Sequence, residues 1–133
     1  MDYSLQLIVV PVSDVDRAKT FYVEQLGFEL LVDHSAGEDF RVVQLVPRGS
    51  ACAIALMGND AAGSVQGLHL VVRDIDAARS ELLAQGAPVG ELFHFGPTGQ
   101  APGPDPERRS YNTFCAVQDP DGNGWLVQEV SAP

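Results

Sequence analysis

The feature that most constrains the fold is an internal repeat. The segment LIVVPVSDVDRAK, which starts at Leu7, resembles the segment GLHLVVRDIDAAR, which starts at Gly67. Asp14 in the first segment and Asp74 in the second are equivalent, and they lie 60 residues apart. In each copy a short apolar run reaches an acidic turn and then a helical pattern. This order is typical of a strand that runs directly into a helix.

The spacing of apolar residues predicts one helix in each copy. The first helix is predicted over residues 14–26 and the second over residues 74–85. Ser13 or Asp14 is suited to begin the first helix, because its side-chain oxygen accepts hydrogen bonds from the free amides of the first turn. Gly27 is suited to end that helix in a left-handed conformation.

Alternating or continuous apolar runs predict three further strands after each helix. They cover 28–32, 40–46 and 51–57 in the first copy, and 89–93, 111–118 and 125–130 in the second. Segments 47–50 and 120–123 are predicted to be equivalent tight turns between neighbouring antiparallel strands. Each copy therefore has the predicted order β-α-β-β-β, and the whole chain is expected to hold eight strands and two helices.

The second copy carries an extra Pro- and Gly-rich segment, residues 96–110. It is long for a connection within a compact domain, so it is predicted to be either a functional lid or disordered. Arg108, Arg109 and Tyr111 lie at its end. The arginine pair has two interpretations. It can grip a carboxylate or phosphate of a ligand through the planar guanidinium group, or it can balance nearby carboxylates such as Asp105.

The charge of the chain excludes several classes of partner. It has 18 acidic against 8 basic residues, for a formal net charge of -10. Nucleic acids and anionic membranes would be repelled, so neither is predicted as a partner. The amino terminus has no basic region before its apolar stretch, and it is read as a strand rather than a signal peptide. Cys52 and Cys115 lie far apart and favour a reducing, cytoplasmic setting.

Two motifs resemble a known family. The pattern VxDxDRAxxFYxxxLGF over residues 12–28 and the sequence DPDGNG over residues 119–124 resemble signatures of the vicinal-oxygen-chelate superfamily. This superfamily includes glyoxalases, bleomycin-resistance proteins and extradiol dioxygenases. The resemblance implies an α+β fold in which tandem βαβββ modules form a curved mixed sheet around a cleft. It implies one domain over residues 1–133, with repeats at about 5–58 and 65–131, and it implies a homodimer.

The resemblance also implies where a divalent metal would bind. The first-strand ligand of the family lies seven residues before the aspartate of the VxD motif, at positions held here by Leu7 and Gly67. The last-strand ligand lies three residues after the asparagine of DPDGN, at Leu126, and its equivalent in the first copy is Ala53 or Ala55. None of these side chains can coordinate a divalent ion. No metal or other cofactor is therefore predicted.

Displaced ligands are the remaining route to a metal site. Because strand side chains alternate between faces, His69 and Gln128 are expected to face the cleft together with Gly67 and Leu126. Glu129 is expected on the opposite face. One imidazole and one amide fall short of the three protein ligands that are usual for catalytic zinc.

The resemblance and the missing ligands together favour a module that binds a small molecule in a metal-free cleft. Acidity would suit a cationic ligand. The residues predicted to line this site are His69, Gln128, Arg109, Tyr111, Leu7, Ala55 and Leu126. One alternative is an enzyme of the lyase, epimerase or dioxygenase type, either with displaced metal ligands or with His69 or Glu129 as a general base. Another is an interaction domain that retains the fold without a site.

Overall fold

A computed structural model describes residues 1–37 and 40–131. The chain forms two compact units. Unit 1 comprises Met1–Val65 and Asp119–Asn123, and unit 2 comprises Gln66–Gln118 and Gly124–Pro133. Each unit contains one mixed sheet and one α-helix.

Unit 1 is built from the first copy of the repeat. Its elements are β1 (Leu7–Val12), α1 (Val15–Thr20), a π-helical turn (Phe21–Gln25), β2 (Glu29–Ser35), β3 (Arg41–Val46) and β4 (Ala53–Gly58). The strand order in its sheet is β1-β4-β3-β2. The β1–β4 pair is parallel and the other pairs are antiparallel.

The first helix begins as expected but changes type. The Asp14 carboxylate accepts a hydrogen bond from the backbone amide of Arg17 at 3.1 Å, which satisfies a free donor of the first turn. The helix is α-helical only to Thr20 and continues as a π-helical turn, in which the Leu26 amide donates to the Phe21 carbonyl at 3.2 Å. A single π-helical turn within a helix shifts the spacing of apolar residues too little to be recognised in the sequence.

One face of β1, β3 and β4 in the unit 1 sheet is largely buried. Val10, Val43 and Leu56 lie in register on neighbouring strands and have no exposed surface. On the opposite face, Val9 pairs with Ala55. Val9 is 51% exposed, so this face of β1 remains open to solvent.

Unit 2 repeats this arrangement with one strand added. Its elements are β5 (Leu68–Val72), α2 (Ile75–Ala84), β6 (Phe93–Gly96), β7 (Gly99–Pro102), β8 (Phe114–Gln118) and β9 (Gly124–Glu129). The strand order is β5-β9-β8-β6-β7, and β5 runs parallel to β9. The first four strands follow the order of unit 1, which is the expected consequence of the sequence repeat.

Three predictions about the strands are wrong in detail. The described residues contain nine strands rather than eight, arranged as one mixed sheet in each unit. Segment 89–93 is not a strand, because β6 begins only at Phe93 and Val89 makes an isolated bridge to Val117. Part of the 96–110 segment forms β7, which returns antiparallel to β6. The Pro and Gly residues of the 96–110 segment favoured the prediction of a loop, so this short hairpin was not predicted.

The helix of unit 2 covers one face of its sheet. Ile75 of α2 packs with Cys115 of β8 and Val127 of β9, and all three are buried. Asp74 caps the helix by accepting from the Ala77 amide at 3.1 Å. None of the helices in the described part of the chain has the length and apolarity that crossing a membrane requires.

The predicted turn at 120–123 is a structural part of unit 1. Asn123, which is fully buried, donates through Nδ2 to the Pro11 carbonyl at 2.9 Å and to the Asp119 carboxylate at 2.7 Å. The Tyr22 hydroxyl donates to the same carboxylate at 2.8 Å. The DPDGNG sequence therefore satisfies buried polar groups, which accounts for its residues without a ligand.

Candidate functional site

The face of the unit 2 sheet that is opposite α2 gathers three of the predicted site residues. The register pairs His69 with Leu126 and Val71 with Gln128. Directly paired residues on neighbouring strands point to the same face, and residues two apart on one strand do as well. His69, Leu126 and Gln128 therefore lie on one face, away from the helix.

Three phenylalanines and His69 form a cluster on this surface, which we call the aromatic face. Phe93 is stacked on Phe114, with ring centroids 5.4 Å apart and planes inclined by 18°. Phe95 and His69 each present an edge to Phe114, with centroids 5.6 and 6.4 Å away. Phe114 is buried at the centre, whereas Phe95 is 51% exposed. The cluster thus presents an accessible aromatic surface, and both stacked and edge-to-face packing are favourable geometries for rings.

One hydrogen bond sets which nitrogen of His69 carries the proton. Nδ1 lies 2.7 Å from the carbonyl oxygen of Gly67. A carbonyl oxygen can only accept, so Nδ1 must donate. In the neutral ring the other nitrogen, Nε2, is then an acceptor. His69 is exposed, so this acceptor is accessible on the aromatic face.

Gln128 is oriented in a similar way by the backbone of Tyr111. Its amide nitrogen donates to the Tyr111 carbonyl at 3.0 Å, and the Tyr111 amide donates to the carbonyl of Glu129 at 2.8 Å. Tyr111 has a φ of 71°, an uncommon conformation for a bulky side chain, and it is 61% exposed. The structure thus places the predicted residue Tyr111 next to Gln128.

The end of the 96–110 segment is ordered around Asp105. This carboxylate is buried and accepts hydrogen bonds from Arg109 Nε at 3.0 Å and from the Glu107 amide at 3.0 Å. These contacts, that of Arg109 first, hold the pKa of Asp105 well below its ordinary value. The Arg109 guanidinium also pairs with the Glu107 carboxylate at 3.3 Å. Arg109 was predicted either to contact a ligand or to balance nearby carboxylates. In the structure its guanidinium pairs with nearby carboxylates.

Asn112 connects this segment to the aromatic face. Its side chain accepts from the Phe95 amide at 3.1 Å and donates to the Phe95 carbonyl at 3.0 Å. The same amide group donates to Asp105 at 3.1 Å. The network thus holds the backbone of Phe95. Through Asn112 it connects this residue of the aromatic face to Asp105 in the 96–110 segment.

Three residues of the aromatic face, Phe93, Phe95 and Phe114, were not predicted as site residues. The signal was present in FHFG, because Phe93 and Phe95 alternate around His94 and must share a face if the segment is a strand. The predicted strand ended at residue 93, so this alternation was not used.

The remaining predicted residues, Leu7 and Ala55, lie in unit 1. Leu7 pairs with Ala53, and Ala55 pairs with Val9. Ala55 is buried and Leu7 is half-buried. This face of β1 and β4 is aliphatic, and it offers apolar contact rather than polar recognition.

The positions at which the family holds a metal do not fit one in this chain. Across β1, β4 and β3 the register aligns Val9, Ala55 and Gln44, and the equivalent row in unit 2 is His69, Leu126 and Ala116. Ala55 rather than Ala53 is therefore equivalent to Leu126. Neither alanine nor leucine offers a donor atom to a divalent ion.

An acidic group elsewhere in unit 2 also fits a metal poorly. Carboxylate oxygens of Asp74, Asp76 and Glu129 lie within 4.8 Å of one another. The Arg108 guanidinium donates to Asp76 at 2.7 Å and to both oxygens of Glu129 at 3.2 Å. These carboxylates raise the pKa of Arg108, Asp76 most strongly. The Ile75 amide also donates to Glu129 at 3.1 Å. The Arg108 guanidinium therefore already balances the charges of Asp76 and Glu129.

Comparison with known proteins establishes the family. Residues 4–127 match the model of the Glyoxalase/Bleomycin resistance protein/Dioxygenase superfamily. The chain belongs to this superfamily, and the resemblance noted in the sequence is confirmed. The α+β fold of paired modules is confirmed with it. Many members bind a divalent metal, so the residues at the metal positions distinguish this chain from those members.

Several solved structures are similar over nearly the full length. TnmS3, an antibiotic binding protein from Streptomyces sp. CB03234, is 32% identical with a TM-score of 0.76, and the match covers 98% of each chain. A glyoxalase/bleomycin resistance protein from the same organism is 32% identical with a TM-score of 0.71, covering 95% of this chain and 100% of that one. By sequence, the uncharacterized protein YetH of Bacillus subtilis (strain 168) is 25% identical, and the match covers 92% of this chain and 94% of YetH.

Proposed function

We propose that the protein binds an aromatic small molecule on the aromatic face of unit 2, without a metal ion. The observation that carries this proposal is the cluster of His69, Phe93, Phe95 and Phe114 on the helix-free side of the sheet. Phe95 leaves half of its surface exposed, and burying such a ring against a second aromatic group is favourable. Ligand sites typically combine an apolar wall with a few polar groups, as this face does.

The similarity to TnmS3 supports the class of function. That protein is described as antibiotic binding and matches over 98% of each chain. A binding role needs no metal, which agrees with the aliphatic residues at the metal positions. The enzyme alternatives would need a third ligand or a proton-transfer partner for His69, and the aromatic face offers a binding surface without either.

A ring-deletion variant tests the proposal. Phe95→Ala removes an exposed ring and leaves the backbone hydrogen bonds to Asn112 in place. The matched control is Phe40→Ala in unit 1, because Phe40 is 52% exposed and Phe95 is 51% exposed. With 2-methoxynaphthalene as the probe, loss of one ring contact should weaken binding by roughly three- to tenfold in Phe95→Ala. Phe40→Ala should bind as the unsubstituted protein does.

The measurement is an NMR titration that follows the backbone amides of β5, β6, β8 and β9. Equal affinities for the two variants would remove Phe95 from the site. Saturable shifts confined to other elements, or no saturable shift with the unsubstituted protein, would overturn the proposal. Thermal unfolding of both variants checks that each is folded during the titration.

The setting and assembly of the protein are part of the proposal. We propose that it works in the cytoplasm as a homodimer. Support for the dimer comes from the family resemblance and from edge strand β2, where Leu30, Leu31 and Val32 are 42%, 54% and 37% exposed. Exposed apolar residues on an edge strand are typical of a surface that another chain covers. Sedimentation equilibrium measures the mass directly, and a monomer at all concentrations would contradict this point.

A further inference from the structure

We infer that the aromatic face selects ligands that carry a hydrogen-bond donor, such as an aromatic hydroxyl or amino group, over ligands of the same shape that only accept. This inference rests on the proposed function and specifies its ligand class. His69 and Gln128 already make hydrogen bonds within the chain. Each of these bonds uses the donor of a side chain that has both a donor and an acceptor.

The imidazole of His69 is the first acceptor. Its Nδ1–H is committed to the Gly67 carbonyl at 2.7 Å, within the same strand segment. A neutral imidazole has one donor and one acceptor nitrogen, so Nε2 is left with its lone pair. The ring makes an edge contact with Phe114, with centroids 6.4 Å apart, so His69 is part of the aromatic face.

The amide of Gln128 is the second acceptor. Its Nε2 group donates to the Tyr111 carbonyl at 3.0 Å. Because that partner is an oxygen with no hydrogen, the amide cannot be turned round without losing the bond. The oxygen Oε1 is therefore left as an acceptor that this bond does not use. Within residues 1–37 and 40–131, neither this oxygen nor Nε2 of His69 has a hydrogen-bond partner in the protein.

The two acceptors flank the same ring. Gln128 is paired with Phe114 across β8 and β9, and His69 contacts Phe114 from β5. An aromatic ligand lying on this face would have both acceptors at its rim. A hydroxyl or amino group there gains a hydrogen bond, whereas an ether or carbonyl oxygen meets a lone pair and loses its contact with water. Two ligands of nearly equal apolar area should therefore differ in affinity if one carries a donor and the other only an acceptor.

The first experiment examines the unliganded protein. Long-range 1H–15N correlation spectra at about pH 7.5, where an ordinary imidazole is mostly neutral, identify the protonated ring nitrogen of His69. We expect the proton on Nδ1. A proton on Nε2 would overturn the inference, because the ring would then present a donor to the ligand.

The second experiment compares two probes. 2-Naphthol carries a donor, and 2-methoxynaphthalene has the same ring system without one. A single net hydrogen bond should make 2-naphthol bind roughly two- to tenfold more tightly to the unsubstituted protein. His69→Phe retains a ring against Phe114 but removes the acceptor. It should lower the affinity for 2-naphthol and leave that for 2-methoxynaphthalene unchanged or slightly higher, because the lone pair that disfavours the ether is removed as well.

The chain offers a matched control. His94 makes the same kind of bond, from Nδ1 to the Gly103 carbonyl at 2.8 Å, but it alternates with Phe93 and Phe95 and so lies on the other side of β6. His94→Phe should leave the preference between the two probes unchanged. If it removes the preference as His69→Phe does, the effect does not come from the aromatic face and the inference is wrong.

The outcomes separate this inference from the function on which it rests. Equal affinity of the unsubstituted protein for both probes, with shifts on the aromatic face, would overturn the selectivity and leave the binding function standing. An equal loss of both affinities in His69→Phe would assign His69 to packing rather than to recognition. Absence of binding by either probe would overturn the proposed function, and the selectivity with it.

Discussion

Arg108→Met tests whether the acidic group of unit 2 is a structural ion-pair network. Arg108 joins Asp76, near the start of α2, to Glu129, at the end of β9. Methionine keeps much of the apolar stem but supplies no charge and no donor. The Glu129 carboxylate would then retain the Ile75 amide as a hydrogen-bond donor but lose both contacts to the guanidinium.

The magnitude follows from the burial of the two partners. The Glu129 side chain is 8% exposed and that of Arg108 is 42% exposed. Removing one partner of a buried pair typically costs about 3–5 kcal/mol, because the other charge stays buried. Water reaches Arg108 and screens the interaction, which reduces the expected loss. We therefore expect the free energy of unfolding to fall by about 2 kcal/mol.

Urea unfolding followed by circular dichroism measures this loss, and Arg48→Met is the matched control. Arg48 makes a longer contact of 3.7 Å to Glu29, and the two side chains are 80% and 57% exposed. A pair of this kind contributes at most about 1 kcal/mol, so the control should be close to the unsubstituted protein.

Two results would refute this account of the acidic group. Equal unfolding free energies for Arg108→Met and Arg48→Met would show that burial of Glu129 does not amplify the interaction. An increase in the melting temperature of the unsubstituted protein with added Mg²⁺ or Ca²⁺, absent from an Asp76→Asn variant, would show that a metal binds there in spite of Arg108.

The remaining predictions concern the segments beside the site and within unit 1. The pKa of Asp105 is depressed chiefly by Arg109, so its stabilising effect is present above the ordinary carboxyl pKa of about 4 and is lost as the pH falls below it. The stability difference between the unsubstituted protein and Asp105→Asn should therefore shrink between about pH 6 and pH 3, and a constant difference in urea unfolding would contradict the assignment. Gly63→Ala should destabilise more than Gly67→Ala: both glycines have positive φ, but only at Gly63 would the new Cβ overlap the backbone of the 119–123 turn. Equal melting temperatures for the two variants would show that the 119–123 turn shifts to accommodate the new Cβ with no loss of stability.

The repeat and the two helix starts could be predicted because their causes are local. Asp14 and Asp74 each accept from an amide three residues later, and this capping geometry depends only on neighbouring residues. The order of the strands within each sheet was not predicted, because it depends on pairing between segments that are distant in the sequence. The π-helical turn and β7 were missed, since neither has a distinctive signal in a single sequence.

The polar residues of the candidate site were found from the sequence, whereas its aromatic residues were not. His69 and Gln128 were found by counting two residues along each strand from a family position, and alternation holds within a regular strand. Phe93 and Phe114 belong to strands separated by the 96–110 segment, and their pairing depends on where β6 begins. The predicted strand at 89–93 stopped where β6 begins, so the alternation of Phe93 and Phe95 was not used and the pairing of Phe93 with Phe114 was not predicted.

The two copies of the repeat show that the fold and the site have different requirements. Val9 and Ala55 occupy in unit 1 the places that His69 and Leu126 occupy in unit 2, and the backbone pairing is the same. Since an aliphatic row and a row with an imidazole are both compatible with this sheet, the strand order cannot explain why His69 is present. The imidazole leaves an acceptor that is unpaired within the described chain and exposed on the aromatic face, where a ligand can reach it. Val9 and Ala55 offer no such acceptor, and this is the reason for assigning recognition to the second copy rather than to the first.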